Sequence, residues 1–145
     1  MLDMAQILEG KLLKPFLIHE IKELERIKRA LNLDEHIPAI DNIVLAIVPS
    51  RRGSSFELVS VFKDTLRESD IVFPEENFIL LLLPGTDAMG AVHILEGLAD
   101  FIGKDLKDFA FVVYPEEGQT AQELIENLQK KALNQFNLDL SKCLN

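Results

Sequence analysis

Two continuous apolar runs constrain most strongly how this chain can fold. Ile43–Val48 and Phe78–Leu83 each contain six consecutive apolar residues, and Pro49 and Pro84 end them. A strand with one face in water alternates apolar and polar residues, whereas an uninterrupted apolar run is typical of a strand covered on both faces. We therefore predict that the two runs form neighbouring, antiparallel strands at the centre of one sheet.

Shorter patterns supply the remaining elements. Ile71–Phe73 and Phe109–Tyr114 are predicted strands, and Pro74–Asn77 is the predicted turn of a hairpin that leads into Phe78–Leu83. Apolar residues at helical spacing predict helices over Pro15–Leu31, over Ser55–Arg67, from Asp87 to about Ile102, and from the Thr120 cap to about Phe136. In the third helix we expect an inward face of Met89, Val92, Leu95, Leu98, Ala99 and Ile102.

The order of these elements predicts an α+β fold. After an extra N-terminal helix, the chain reads βαββαβ and ends in a further helix; two crossovers and one hairpin favour an antiparallel sheet with helices mainly on one face. Residues 14–145 are interpreted as a single domain. Residues 1–13 are interpreted as an N-terminal segment or linker, weakly helical up to Glu9.

Composition excludes several classes of function. The chain has 145 residues, with 24 acidic against 15 basic side chains and a net charge of −9, so its surface repels phosphate backbones and nucleic-acid binding is disfavoured. No apolar run approaches the length of a membrane span. A single cysteine, Cys143, fits a reducing, cytoplasmic compartment. His19, His36 and His93 lack metal-ligand spacing, so a zinc site is not expected.

Three stretches, in order, resemble one protein family. They are Phe-Lys-Asp-Thr-Leu-Arg-Glu-Ser-Asp at 62–70, Phe-Ile-Leu-Leu-Leu-Leu-Pro-Gly-Thr-Asp at 78–87 followed by Gly90-Ala91, and Tyr-Pro-Glu-Glu-Gly at 114–118 followed by Thr120 and Glu123-Leu124. These stretches resemble the GGDEF family, the diguanylate cyclases that join two GTP molecules into cyclic di-GMP. The resemblance implies a ferredoxin-like core similar to the palm of nucleotidyl cyclases.

The chain departs from this family where the family carries its chemistry. The Gly-Gly-Asp-Glu signature before Phe78 is replaced by Pro-Glu-Glu-Asn at 74–77, and the first strand ends Val48-Pro49-Ser50 without the family's carboxylates. Residues 50–55 are too few to contain the family's guanine-reading segment. Because phosphodiester formation needs carboxylate-bound Mg²⁺, we expect no cyclase activity, no metal and no resident cofactor. Glu75 and Glu76 are interpreted as a solvated acidic turn rather than metal ligands.

One ligand-binding pattern of the family remains. Arg67 and Asp70 match the Arg-x-x-Asp motif that many members use to bind the product, cyclic di-GMP. An arginine can bind the acceptor edge of guanine, and an aspartate can accept from the guanine amine. The alternative is structural, with Arg67 capping the end of its helix and Asp70 beginning a turn.

Two functions remain. The first is a non-enzymatic GGDEF-like signalling module that binds a protein partner; the alternative is a cyclic di-GMP receptor acting through Arg67 and Asp70. For the first, the candidate surfaces are two apolar segments outside the βαββαβ core: Met1–Leu13, with Met4, Ile7, Leu8, Leu12 and Leu13, and the tail, with Leu138, Leu140 and Leu144. We expect the tail to fold back on its own sheet and the N-terminal segment to make intermolecular contacts, including those of a homodimer.

Overall fold

A computed structural model describes residues 6–31, 42–50, 55–102 and 108–140 of the chain. Within these ranges the strands are β1 (Gln6–Ile7), β2 (Ile43–Pro49), β3 (Ile71–Pro74), β4 (Phe78–Pro84) and β5 (Ala110–Tyr114). The α-helices are α1 (Leu13–Leu31), α2 (Ser55–Thr65), α3 (Ala88–Ile102) and α4 (Ala121–Phe136), and a 3-10 turn at Gly10–Leu12 precedes α1.

The strands form one mixed sheet in the order β1-β3-β4-β2-β5. The central prediction is confirmed: β2 and β4 are antiparallel neighbours, in register from Ile43 opposite Pro84 to Pro49 opposite Phe78. The hairpin is also confirmed, because β3 pairs antiparallel with β4. With β5 antiparallel to β2 on the other side, β2 to β5 form the predicted α+β, ferredoxin-like βαββαβ core.

The prediction of helices mainly on one face is wrong. Helices α2 and α3 are the two crossover helices. They pack on one face of the sheet, where Val44, Ala46 and Val48 of β2 point. Helices α1 and α4 cover the opposite face, where the alternate residues of the same strand point. The physical reason lies in β2 and β4, since a strand without polar positions excludes water from both faces only when both are covered. The N-terminal and C-terminal helices supply the second cover.

The N-terminal segment also differs from the prediction. Gln6–Ile7 form a strand rather than a helical turn, and β1 runs parallel to β3, which makes the sheet mixed rather than purely antiparallel. The Gln6 N–H donates to the Asp70 carbonyl at 3.1 Å, and the Leu8 N–H donates to the Val72 carbonyl at 2.9 Å. Residues 6–8 thus lie along the sheet edge, whereas Leu13, at the start of α1, is buried in the core. Met1 and Met4 lie outside the described residues.

The chain after α4 folds back as predicted. Asn137 adopts a left-handed conformation with φ of 55° and ends the helix. Gln129 of α4 then holds the tail at two points, because its amide donates to the Leu138 carbonyl at 3.2 Å and its Oε1 accepts from the Leu140 N–H at 2.7 Å. Leu140 is buried against the α1–α4 face. Leu144 lies outside the described residues.

The outer edge of β5 is satisfied within the chain. Lys131 of α4 donates from Nζ to the Phe111 carbonyl at 2.7 Å. The Val113 N–H donates to Oε1 of Glu117 at 3.2 Å, and the Glu117 N–H donates to the Val113 carbonyl at 2.7 Å. An ion pair of 2.8 Å joins Lys131 to Glu117. The backbone groups of this edge are therefore not open to another strand at these positions.

Candidate functional site

The end of β2 meets the β3–β4 turn, which is where the resemblance places a cyclase metal site. The Ser50 N–H donates to the Asn77 carbonyl at 2.8 Å, and the Glu75 N–H donates to the Phe78 carbonyl at 2.8 Å to close the turn. The residues at the meeting point, Pro49, Ser50 and Asn77, carry no carboxylate. In the part of the chain that the structure describes, no group of three or more histidine, cysteine, aspartate or glutamate side chains is placed to hold a metal ion.

A cavity of about 310 Å³ with a mixed polar and apolar lining lies beside the same turn, on the side of the C-terminal tail. Glu75 and Glu76 line it from the turn, and Asn137 and Asp139 line it from the segment after α4. Sequence reasoning missed Asp139; the signal for its position was Asn137, since an asparagine can reverse the chain in the left-handed conformation. The carboxylates of Glu75, Glu76 and Asp139 therefore all line this cavity.

Arg67 and Asp70 are brought together, and they bind each other. The Asp70 carboxylate accepts from the Arg67 backbone N–H at 2.9 Å, from Nε at 3.3 Å and from Nη2 at 2.9 Å. The Asp70 side chain is 1% exposed, whereas the Arg67 side chain is 51% exposed. Both carboxylate oxygens are thus engaged inside the chain, and the guanine amine that the motif would bind has no free access to them.

The Arg67 guanidinium also joins this junction to the loop after β4. Its Nη2 donates to the Pro84 carbonyl at 2.7 Å and lies 2.9 Å from the Thr86 hydroxyl, which is buried. An arginine with several fixed acceptors is held in one geometry, as in a structural clamp. The arrangement is structural, but it differs from the predicted alternative: the Arg67 side chain bonds to Asp70 and to the loop after β4 rather than capping its helix, and Asp70 ends a turn rather than beginning one.

An apolar groove opens between the end of α2 and the outer side of α3. Its volume is about 270 Å³, and its walls are largely apolar. Gly97 lies in the groove, and nothing stands within 4 Å of the place where its side chain would begin. The residues that line the groove include Thr65 at the end of α2, Leu66 directly after it, and His93, Ile94, Gly97 and Phe101 from α3.

Two large apolar side chains of α3 face solvent; Phe101 lines this groove, whereas Met89 lies on a separate surface with Val92 and Glu96. Met89 is 83% exposed and Phe101 is 69% exposed. The exposure of Met89 shows that the prediction of an inward position is wrong. With 3.6 residues per turn, Met89 lies about 120° around the helix from the buried Leu95. Leu95 and Leu98 are buried as predicted, and Val92 is half-buried. Leu95 and Leu98 define the buried side of α3, and their positions around the helix would have placed Met89 on the exposed side.

The other candidate residues form no further site among the described ranges. His19 and His93 are exposed on α1 and α3. His36 and Cys143 lie outside the described residues. Within the ranges that the structure covers, no helix combines the length and the apolar character that crossing a membrane requires.

The chain was compared with known proteins. Neither any protein-family model nor any curated protein matches it.

Proposed function

We propose that this chain is a non-enzymatic, GGDEF-like signalling module that acts by binding a protein partner. The family part of the proposal rests on the three ordered stretches at 62–70, 78–91 and 114–124. The βαββαβ order of β2 to β5 is compatible with the palm that the resemblance implies. No cyclase step is included in the proposal, because the meeting point of β2 and the β3–β4 turn supplies backbone groups and an amide where the family supplies carboxylates.

The observation that carries the protein-binding part is the exposure of Met89 and Phe101 on one helix. Both faces of the sheet already have helical cover, so these two side chains are not needed to complete the core. Exposed large apolar side chains on an acidic chain are typical of protein contact sites, and one of the two, Phe101, also lines an apolar groove. A deep polar pocket, by contrast, is what a small-molecule enzyme of this family would need.

The alternative, a cyclic di-GMP receptor, requires the Asp70 carboxylate to exchange its three donors from Arg67 for a guanine. That exchange breaks two charge-assisted hydrogen bonds at a buried oxygen pair before any new contact forms. Half-exposed Arg67 could still contact a phosphate or a guanine. The geometry therefore favours a structural role for Arg67 and Asp70. Two experiments distinguish the protein-binding module from the cyclic di-GMP receptor.

The first experiment tests for enzyme activity and for nucleotide binding. We expect incubation with GTP and Mg²⁺ or Mn²⁺, followed by chromatography of the nucleotides, to yield no cyclic di-GMP above a blank without protein. We expect calorimetric titration with cyclic di-GMP to yield no binding heat. Product formation would contradict the proposal. Binding heat that disappears in Arg67→Ala would replace it with the receptor alternative.

The second experiment tests for a protein partner. The tagged chain is used to capture proteins from a lysate of its source cells, and each candidate is then purified and mixed with the chain in sedimentation velocity runs. We expect one partner that forms a complex of defined stoichiometry. If no purified candidate co-sediments with the chain, the protein-binding proposal is wrong.

A further inference from the structure

A glutamine of α4 binds the backbone of the tail segment, residues 137–140. The Gln129 side-chain amide donates to the Leu138 carbonyl at 3.2 Å, and its Oε1 accepts from the Leu140 N–H at 2.7 Å. These two bonds lie on either side of Asp139, which is how a residue of a neighbouring strand bonds an extended segment. Gln129 therefore recognises the tail segment through its backbone, whatever side chains the segment carries.

The side chains of the tail segment alternate between the core and solvent. Leu138 is half-buried, Asp139 is exposed and Leu140 is 1% exposed. Leu140 belongs to the apolar cluster on the side of the sheet that α1 and α4 cover. Backbone hydrogen bonds combined with pockets for alternate side chains are the means by which proteins bind an extended peptide. The tail segment is held in the same way, as an intramolecular ligand.

The first of the two leucines leaves part of its site unfilled. Leu138 and Phe78 both line the cavity of about 310 Å³ beside the β3–β4 turn. A phenylalanine in the place of Leu138 would reach further into this space and would bury more apolar surface. An extended segment with an aromatic residue at this position therefore fits the site better than the chain's own tail segment does.

The tail segment can leave its site without unfolding of the domain. It begins at Asn137, whose left-handed conformation, with φ of 55°, is uncommon for a residue other than glycine. The Leu138 N–H donates to the Ala132 carbonyl at 3.2 Å, in the last turn of a helix, where bonds fray. Release of four residues leaves the strands and the helices in place, so it costs less free energy than global unfolding.

We infer that the tail segment occupies a peptide-binding site, and that this site binds an extended segment of a partner protein. The partner segment carries an aromatic residue in the place of Leu138 and a leucine in the place of Leu140, with its backbone bonded to Gln129. The chain's own tail segment is an autoinhibitory competitor, because a tethered segment has an effective concentration in the millimolar range. A second copy of the chain brings the same leucine and gains nothing over the tethered segment.

This inference goes beyond the proposed function. It assigns a second binding surface, on the opposite face of the sheet from α3.

The test uses three synthetic peptides and the full chain. The first peptide has the sequence of residues 137–142, Asn-Leu-Asp-Leu-Ser-Lys. The second has phenylalanine in place of the first leucine, and the third has serine in place of both. Each is titrated into the ¹⁵N-labelled chain and followed in ¹H–¹⁵N spectra. The double variant Leu138→Ser/Leu140→Ser, called the open-site variant, cannot dock its own tail segment. Gln129→Met is added to it to remove the backbone bonds, and Gln135→Met, at an exposed position of the same helix, is the matched control.

We expect the open-site variant to bind the phenylalanine peptide more tightly than the leucine peptide, and not to bind the serine peptide. Adding Gln129→Met should weaken binding about tenfold, because two hydrogen bonds are lost, whereas adding Gln135→Met should not change it. The unmodified chain should bind the phenylalanine peptide at least tenfold more weakly than the open-site variant does, since its own tail segment competes. In the unmodified chain the peptide should shift the signals of the Leu140 N–H and the Gln129 side-chain amide.

Four outcomes would overturn the inference. They are no binding to the open-site variant at millimolar peptide, equal binding of the serine peptide, equal loss in Gln129→Met and Gln135→Met, and a dimer in sedimentation that the open-site variant abolishes. The last would show that a second copy supplies the segment. If the open-site variant does not melt cooperatively, the unmodified chain decides, because unshifted Leu140 and Gln129 signals at millimolar phenylalanine peptide would also overturn the inference. None of these outcomes affects the proposed function, which rests on α3.

Discussion

Replacing Arg67 should destabilise the fold more than replacing Asp70, although Arg67 is the more exposed of the two. Arg67→Met removes the two side-chain donors of a carboxylate that is 1% exposed and leaves it with the backbone N–H alone. Breaking a buried ion pair in this way costs about 3–5 kcal/mol. Water reaches half of the Arg67 side chain, so we reduce the expected loss to about 2–3 kcal/mol.

Asp70→Ala leaves a cation that has other partners. The Arg67 guanidinium retains the Pro84 carbonyl and the Thr86 hydroxyl, and solvent reaches its exposed half. We therefore expect this variant to lose only about 1–2 kcal/mol, the usual cost of a lost hydrogen-bond partner. The double variant should lose less than the sum of the single losses, by more than about 0.5 kcal/mol, because the two side chains are in direct contact.

Urea unfolding followed by circular dichroism measures all three free energies of unfolding. Arg29→Met, at an exposed position on α1, is the matched control and should stay within about 0.5 kcal/mol of the unmodified chain. An equal or larger loss in Asp70→Ala than in Arg67→Met would refute the reasoning. So would additive losses in the double variant, since they would show that the two side chains do not depend on each other.

Three further substitutions test other parts of the fold. Gly97→Ala should raise the free energy of unfolding by about 0.5–1 kcal/mol in urea titrations, since glycine destabilises a helix interior by about that amount; a loss would show that the position is constrained. Gly118→Ala should cost on the order of 1–3 kcal/mol in the same titrations, because its Cβ would stand 2.8 Å from the Leu124 backbone nitrogen; an unchanged midpoint would contradict this. Lys131→Met should increase light scattering on heating, because it frees the Phe111 carbonyl at the sheet edge; scattering equal to that of the unmodified chain would show that the edge needs no such protection.

The central strands could be predicted because their pattern is determined by burial alone. Ile43–Val48 and Phe78–Leu83 have no alternative to a covered position at the centre of a sheet, and both strands are found there. The strand at Gln6–Ile7 could not be predicted, because a two-residue strand has no periodicity and depends on the neighbouring edge of β3. The same two central runs implied cover on both faces, which the predicted one-sided arrangement of helices did not satisfy.

The candidate sites were also only partly predictable from the sequence. The contact between Arg67 and Asp70 follows from their spacing of three residues, but the approach of Pro84 and Thr86 depends on how the loop after β4 packs. The α2–α3 groove depends on the relative position of two helices that are separated in sequence by a hairpin. Helical phase places Met89 outside, yet no local pattern shows that Leu66 faces Gly97 across a gap.

The two edges of the sheet set a limit on how copies of this chain can assemble through their backbones. At β5, Lys131 and Glu117 already bind the outward groups of Phe111 and Val113. At the other edge of the described sheet stands β1, two residues long. A fibre that grows by strand addition needs two receptive edges on every copy, whereas a single receptive edge allows one neighbour. On the described edges, strand addition at β1 would therefore join two copies in a pair and would not extend into a fibre.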